Sequence, residues 1–209
     1  MYKIKKFSDK KLADIYEENM ESLGKFFGLK WTRNTPRIVI VEDRKTIDDL
    51  RQAKTDDWLV GWAESRTIFI LNRSKMGKES RIRYSDKEYE ALIGHELCHA
   101  FCRAIWRPST YCPMWFSEGI AIYASGQNKF KAPVTEFKSF LGFHKKRDRE
   151  IYSESGFAVQ ALVDGFGKKK LIGLIKRMKS VDSKTGFIEL FKEIYGFNPT
   201  YKAFNELIK

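Results

Sequence analysis

Cysteine is scarce in this sequence: three in 209 residues, an odd number without paired spacing, which excludes a disulfide framework as the source of stability. Cys98, Cys102 and Cys112 read as buried free thiols, with metal binding or a cross-link to Cys112 as the alternative for the first two, which lie one helical turn apart. Five prolines and 14 glycines are too few for a collagenous or low-complexity chain. No run of about 18 apolar residues occurs, so no helix is expected to cross a membrane. The first residues run directly into charged sequence without an apolar core of about 7–15 residues, so the chain reads as soluble, without an export signal, and cytoplasmic. Histidine is as scarce as cysteine, at three, and two of the three fall within five positions.

What the chain does have is apolar and basic. Hydrophobic residues make up 43%, with 16 Phe, 9 Tyr and 5 Trp, and this length suits one well-buried domain better than two. Lys and Arg number 39 against 27 Asp and Glu, a net charge of +12, but unevenly placed. Segment 84–126 holds more acids than bases, whereas 168–184 holds Lys168, Lys169, Lys170, Lys176, Arg177, Lys179 and Lys184 against Asp182 alone. Such a face reads first as solvated, with nucleic acid or an anionic membrane as the alternative. No aromatic residues interleave with Lys168–Lys170, as a base-stacking surface would need.

Apolar spacing over 8–27 predicts an amphipathic helix stopped at Gly28. A strand is expected at 36–41, a short helix at 45–53, and a hairpin from 59–64 and 67–71 around Ser65-Arg66, followed by a loop over 72–84. From Ser85 the chain turns helical. Ser85 and Glu88 have capping-box spacing for a helix over 86–105, and Pro113 opens a second that ends near Ser125. A short amphipathic piece at 135–141 and helices at 151–166, 168–179, 184–195 and after Asn198-Pro199 complete the pattern. Segment 126–150 reads as a linker or flap. Strands in the first half and helices in the second imply an α+β class: one domain over 1–209, with a sheet-containing part to residue 83 and a helical part from 84.

The chemistry concentrates at His95-Glu96-Leu97-Cys98-His99. On a helix the two histidines stand about 40° apart and one turn along the axis, so both imidazoles can reach one metal ion. Glu96 lies about 100° aside, beside the metal but not on it, where it can take a proton from a metal-held water. Composition alone predicts about 0.003 such motifs in a chain of this length. A catalytic zinc takes three protein ligands and keeps one position open. A third histidine six residues on is ruled out because Ile105 stands there, whereas Glu118 lies in Trp115-Phe-Ser-Glu-Gly-Ile-Ala-Ile-Tyr123. A lone acid in an apolar helix needs a cation or a rich hydrogen-bond set. The small Gly119 and Ala121 are expected to let this helix approach the histidine helix closely.

His95-Glu-Leu-Cys-His99, followed after 18 residues by Glu118 in Trp-Phe-Ser-Glu-Gly-x-Ala-x-Tyr, resembles the gluzincin metallopeptidases of the peptidase MA-like group, which includes zinc aminopeptidase catalytic domains and minigluzincins. The resemblance is strong over 91–125 and follows by pattern over 35–208. It implies a zincin-like domain: a small twisted sheet with a backing helix, an active-site helix, a glutamate helix and a helical C-terminal half. It also implies Zn2+ held by His95, His99 and Glu118, with Glu96 as general base and acid in peptide-bond hydrolysis. Thr67, Ile68, Phe69 and Ile70 would form the edge strand that pairs with an extended substrate.

In aminopeptidase relatives a tyrosine in a Tyr-x-x-Gly-Phe-Ala helix start stabilises the oxyanion. Tyr152 stands one place further from Gly156-Phe-Ala and is the first choice for that role, with Tyr123 the second. Glu64 in Gly61-Trp-Ala-Glu64 is similar to a glutamate that holds a substrate amino terminus, or else is a hairpin-turn carboxylate. An aspartate four residues after the third ligand, found in thermolysin-like enzymes, is replaced by Ile122. His144, among basic neighbours, reads as a solvated loop residue.

The expected protein is therefore a monomeric zinc metallopeptidase acting on a peptide or protein, endo- or aminopeptidase undecided. The alternatives are a zinc-containing interaction protein without catalysis and a basic nucleic-acid-associated protein. Segment 126–150 or a chain end would be able to plug the cleft.

Overall fold

Short polar side chains set most helix starts. Asp9, Asp43, Ser85, Ser183 and Thr200 each accept a hydrogen bond from a backbone N–H of the first turn, satisfying donors that the helix itself leaves orphaned. The computed structural model describes residues 9–82, 84–142 and 149–209. The architecture is α+β, 58% helical, with one three-stranded sheet among the described residues. In order the elements are α1 (Lys10–Phe27), β1 (Arg37–Val41), α2 (Arg44–Arg51), β2 (Gly61–Glu64), β3 (Thr67–Leu71), α3 (Asp86–Ile105) and α4 (Met114–Ala124). Then come α5 (Arg149–Phe166), α6 (Lys168–Arg177), α7 (Lys184–Tyr195) and α8 (Tyr201–Leu207). Helix α3 has the expected bounds and the full capping box: Ser85 Oγ accepts from Glu88 N, and Glu88 Oε2 accepts from Ser85 N. Helix α1 ends at Gly28 with φ 63°, the left-handed stop that glycine adopts without steric penalty.

The strand order is β1-β3-β2, with β1 parallel and β2 antiparallel to β3. This corrects one expectation. Thr67–Leu71 is the central strand: its backbone groups are used by β1 on one side and β2 on the other, so Thr67, Ile68, Phe69 and Ile70 are not an edge for a substrate to join. A continuous Thr-Ile-Phe-Ile-Leu run suits a strand covered on both sides, and Ile68, Ile70 and Leu71 are fully buried. The edge that lines the cleft belongs to β2, a short strand with a glycine and a charged end. Leu71 N donates to Val60 O at 2.8 Å. By antiparallel alternation, Trp62 and Glu64 then bond to β3, while Gly61 and Ala63 turn their N–H and C=O groups away from the sheet.

Helix α3 underlies this sheet, packing against β2 and β3 and, on other sides, against α1 and α4. Tyr89 of α3 donates its hydroxyl to Leu71 O at 3.2 Å, and Tyr16 of α1 donates to Pro36 O at 2.8 Å. Helix α4 packs chiefly on α5. A Cβ on Gly119 would come within 2.6 Å of Ser155 O and 2.8 Å of Val159 Cγ2, so its small size serves the contact with α5 rather than the expected one with α3. Trp115, fully buried, is the hub of an aromatic core whose rings at Phe140, Phe204, Phe187 and Phe191 lie 5.2–6.3 Å away.

Residues 126–142 are not a free linker. After a 3₁₀ turn at Gln127–Phe130 the chain is irregular, and the amphipathic piece expected at 135–141 forms no regular element, its amides being taken by side chains. Glu154 Oε2 accepts from the backbone N–H of Lys138, Ser139 and Phe140, Asn205 exchanges two bonds with Phe137, and Tyr201 OH accepts from Leu141 N. Phe137 and Phe140 are buried beneath it. His144 lies outside the described residues.

Candidate metal centre

Helix α3 presents His95, Glu96 and His99 toward a cleft of about 610 Å³, and α4 presents Glu118 from the adjoining wall. His95 Nε2 lies 3.1 Å from His99 Nε2 and 3.1 Å from Glu118 Oε2, and His99 Nε2 lies 3.6 Å from Glu118 Oε2. Four-coordinate ions with bonds near 2.0–2.1 Å hold their ligand atoms about 3.3 Å apart, so these separations match such a donor set. These three residues are the only group of His, Cys, Asp or Glu among the described residues whose ligand atoms converge in this way.

The chemistry of the donors points the same way. Gln127 Oε1 sits 2.9 Å from His95 Nδ1, where it can accept a proton carried on that nitrogen, the tautomer that would turn the Nε2 lone pair toward the cluster. Ser117 Oγ stands 3.5 Å from His99 Nδ1. With both Nε2 atoms unprotonated, two imidazole lone pairs and a carboxylate oxygen facing one point would repel one another unless a cation lay between them.

The carboxylates differ in electrostatics. Burial pushes the Glu118 carboxyl upward as its largest single influence, but the charges and hydrogen bonds of His99 and His95 together outweigh it and hold the group well below the usual carboxylate range. A divalent ion would supply that positive charge in place of protons on the rings. Glu96, 6% exposed, is pushed up to about 7, by burial first and by the Glu118 charge next, against the opposing charges of His95 and Arg103. A carboxylate that titrates near neutrality suits a group that both takes and returns a proton.

The strand edge comes directly over this carboxylate. A Cβ on Gly61 would meet Glu96 Oε1 at 3.2 Å and Cγ at 3.4 Å, so the absence of a side chain lets β2 approach the proton-handling group. The stretch before β2 is fixed by Arg44, whose guanidinium donates to Leu59 O at 2.6 Å, Asp57 O at 3.0 Å, and Asp56 O, Thr55 Oγ1 and Glu79 O at 3.2 Å.

The other expected residues divide. Tyr152, in the first turns of α5, lines the cleft with its ring 6.2 Å from that of Trp58. Tyr123 faces Phe26 of α1, ring centroids 6.0 Å apart, and does not line the cleft. Neither does Glu64: its Oε1 accepts from Arg51 Nη1 at 2.7 Å and from Trp62 Nε1 at 3.0 Å, the hairpin-end role. Thr67, Ile68, Phe69 and Ile70 do not line the cleft either; their place is taken by Gly61, Trp62 and Ala63. Sequence reading missed Gln127, Tyr84, Arg103 and Lys131 in the cleft wall. Burial raises the Tyr84 hydroxyl pKa to about 12, with the Glu88 and Glu96 charges adding to it. A pattern search centred on the motif carries no signal for them, except that Arg103 repeats the face of Glu96 seven residues on. Comparison with known proteins adds no relative: no protein-family model, no curated protein and no solved structure matches this chain.

Proposed function

We propose that this chain is a zinc metallopeptidase of zincin-like architecture. The observation that carries the reading is the convergence of His95 Nε2, His99 Nε2 and Glu118 Oε2 within 3.1–3.6 Å, beside a buried Glu96 and under an open strand edge. Two imidazoles and one carboxylate suit zinc, and three protein ligands leave a position open, as catalytic rather than structural sites do. Bound there, zinc would lower the pKa of a coordinated water and polarise a carbonyl.

The chain's own residues supply the rest. Gly61 and Ala63 offer outward N–H and C=O groups to an extended peptide, which would add a strand to the sheet at β2 and lay its backbone across Glu96. Glu96 takes one proton from the attacking water as its oxygen bonds to the carbonyl carbon, then returns that proton to the amine nitrogen as the C–N bond breaks. Tyr152 and Tyr84 are the phenols in the cleft wall from which a hydrogen bond to the developing oxyanion would come. Gln127 keeps His95 in the tautomer that leaves Nε2 free.

The test is zinc content by elemental mass spectrometry together with hydrolysis of a mixed peptide library. The parent should carry stoichiometric zinc and cleave peptides; Glu118→Ala and His99→Ala should lose the metal. Glu96→Gln should keep the zinc and lose turnover. Zinc without cleavage of any peptide in the parent would replace the enzyme with a metal-containing interaction protein.

A further inference from the structure

Four cationic side chains line the cleft, and they are not equivalent. Arg51 is paired with Glu64, and Arg81 with Asp57. Arg103 and Lys131 form no ion pair among the described residues, although the Arg103 charge acts on Glu96. Arg103 stands one helical turn beyond His99 and two beyond Glu96 on the same face of α3, so it extends the face that carries the metal ligands. Lys131 closes the 3₁₀ turn whose Gln127 touches His95. It is half-buried, and burial holds its ammonium below the usual lysine range. A partly desolvated ammonium without a counter-charge is costly to keep. With a divalent ion in place, Glu96 and Glu118 balance the ion, and Arg103 and Lys131 remain in excess.

We propose that the cleft selects acidic peptides, with Arg103 and Lys131 receiving carboxylates on residues flanking the scissile bond. The inference rests on the peptidase reading of the same site, but it concerns binding and is tested as binding. The ligand chemistry is a carboxylate within reach of the metal centre, from either an Asp or Glu side chain or the free C-terminus of a peptide. The basic stretch at 168–184 lies on α6 and beyond, outside the cleft lining, so this selectivity is separate from the chain's overall charge.

The experiment uses the full chain carrying Glu96→Gln and loaded with zinc. Trp58 and Trp62 in the cleft wall report binding through their fluorescence. Three C-terminally amidated peptides of one length are compared: one with Asp and Glu about the central bond, its Asn and Gln isostere, and a Lys counterpart. A fourth is the neutral peptide with a free C-terminus. The acidic peptide should bind about tenfold or more tightly than its isostere at low salt, the gap narrowing as salt rises.

Arg103→Gln and Lys131→Gln should each narrow that gap, and the double variant should close it, with zinc content unchanged in all three. Lys169→Gln, which removes the same charge from α6, should leave it open. Equal binding of the acidic peptide and both neutral peptides, a gap that survives the double variant, or no binding of any peptide overturns the inference. A gain with the free C-terminus alone, removed by the double variant, identifies the carboxylate as a chain end. Turnover by the parent chain separates the two readings. Equal cleavage of acidic and neutral peptides sinks the acidic preference and keeps the peptidase. Tight acidic binding without cleavage of any peptide does the reverse.

Discussion

The two walls of the cleft are built on opposite principles. The helical wall holds the ligands by packing. Glu118 sits on α4 less than one turn from Trp115, and that indole is enclosed by Phe116, Phe140, Phe187, Phe191 and Phe204. The sheet wall holds its place by hydrogen bonds: β2 has four residues, none of them buried, and the chain leading into it hangs on the Arg44 guanidinium. Metal coordination tolerates little displacement, and the three proposed ligands stand on close-packed helices. A strand that accepts a peptide, as proposed for β2, has to leave an edge unpaired, and its support comes from behind.

The largest effect that would test this contrast is at Trp115. Trp115→Ala should lower stability by about 3–5 kcal/mol in denaturant unfolding, and should weaken metal binding although the residue is no ligand. A metal affinity unchanged at temperatures where the variant stays folded would break the link between aromatic packing and ligand placement.

Next in size is the proton on Glu96. Its folded-state pKa, about 7 in the metal-free protein, stands above its unfolded value, so ionising it opposes folding. The Glu96 contribution to the stability of the metal-free protein should therefore be fully present below about pH 4.5, fall by up to roughly 3 kcal/mol as the pH rises to about 7, and level off above that, while the depressed Glu118 carboxyl acts in the opposite sense below about pH 4.5. Glu96→Gln should remove this decline. Parallel pH–stability curves for the two proteins would show that the carboxylate is not desolvated in solution as it is here.

Gln127→Leu should cost about 10–100-fold in metal affinity, read by competition with a chelator, while thermal stability of the metal-free protein barely moves. An unchanged affinity would mean that the imidazole of His95 is held by α3 alone. The smallest effect in stability, about 1 kcal/mol or less, is expected at Gly61→Ala, where the walls meet. Its methyl would press the Glu96 carboxylate aside by a few tenths of an ångström, so peptide turnover should fall several-fold with zinc retained. Unchanged turnover would show that β2 can retreat from α3, and that the sheet wall is softer than its hydrogen bonds imply.

Local signals were legible where a residue acts on its own neighbours. The capping box of α3, the glycine stop after α1 and the apolar periods of α5, α6 and α7 appear at or within a few residues of the expected bounds. The same is true of the His95, Glu96 and His99 spacing, since the helical repeat alone places them on adjoining faces. Glu118 was legible for a different reason: an acid surrounded by Trp, Phe and Ile demands a partner wherever the helix goes.

Other features depended on distant partners. Nothing in Thr67–Leu71 states which strand will flank it, and both Gly61–Glu64 and Thr67–Leu71 have the composition of a strand. Residues 135–141 carry a helix-like apolar spacing. Their amides are nevertheless claimed by Glu154, Tyr201 and Asn205, up to 68 positions away, and a backbone donor satisfied by a side chain has no need of a helix.

The sequence by itself determined the α+β class, the helix bearing the motif and the three residues suited to a metal, because these follow from short-range periodicity and from the cost of burying charge. Only the tertiary structure decided that β2 is the edge facing the cleft, that Gly119 serves α5, that Gln127 orients His95, and that Arg103 and Lys131 line the cleft without an ion pair among the described residues. Those outcomes are set by which surfaces meet, and a meeting of surfaces is a property of the packed chain that no local window of residues contains.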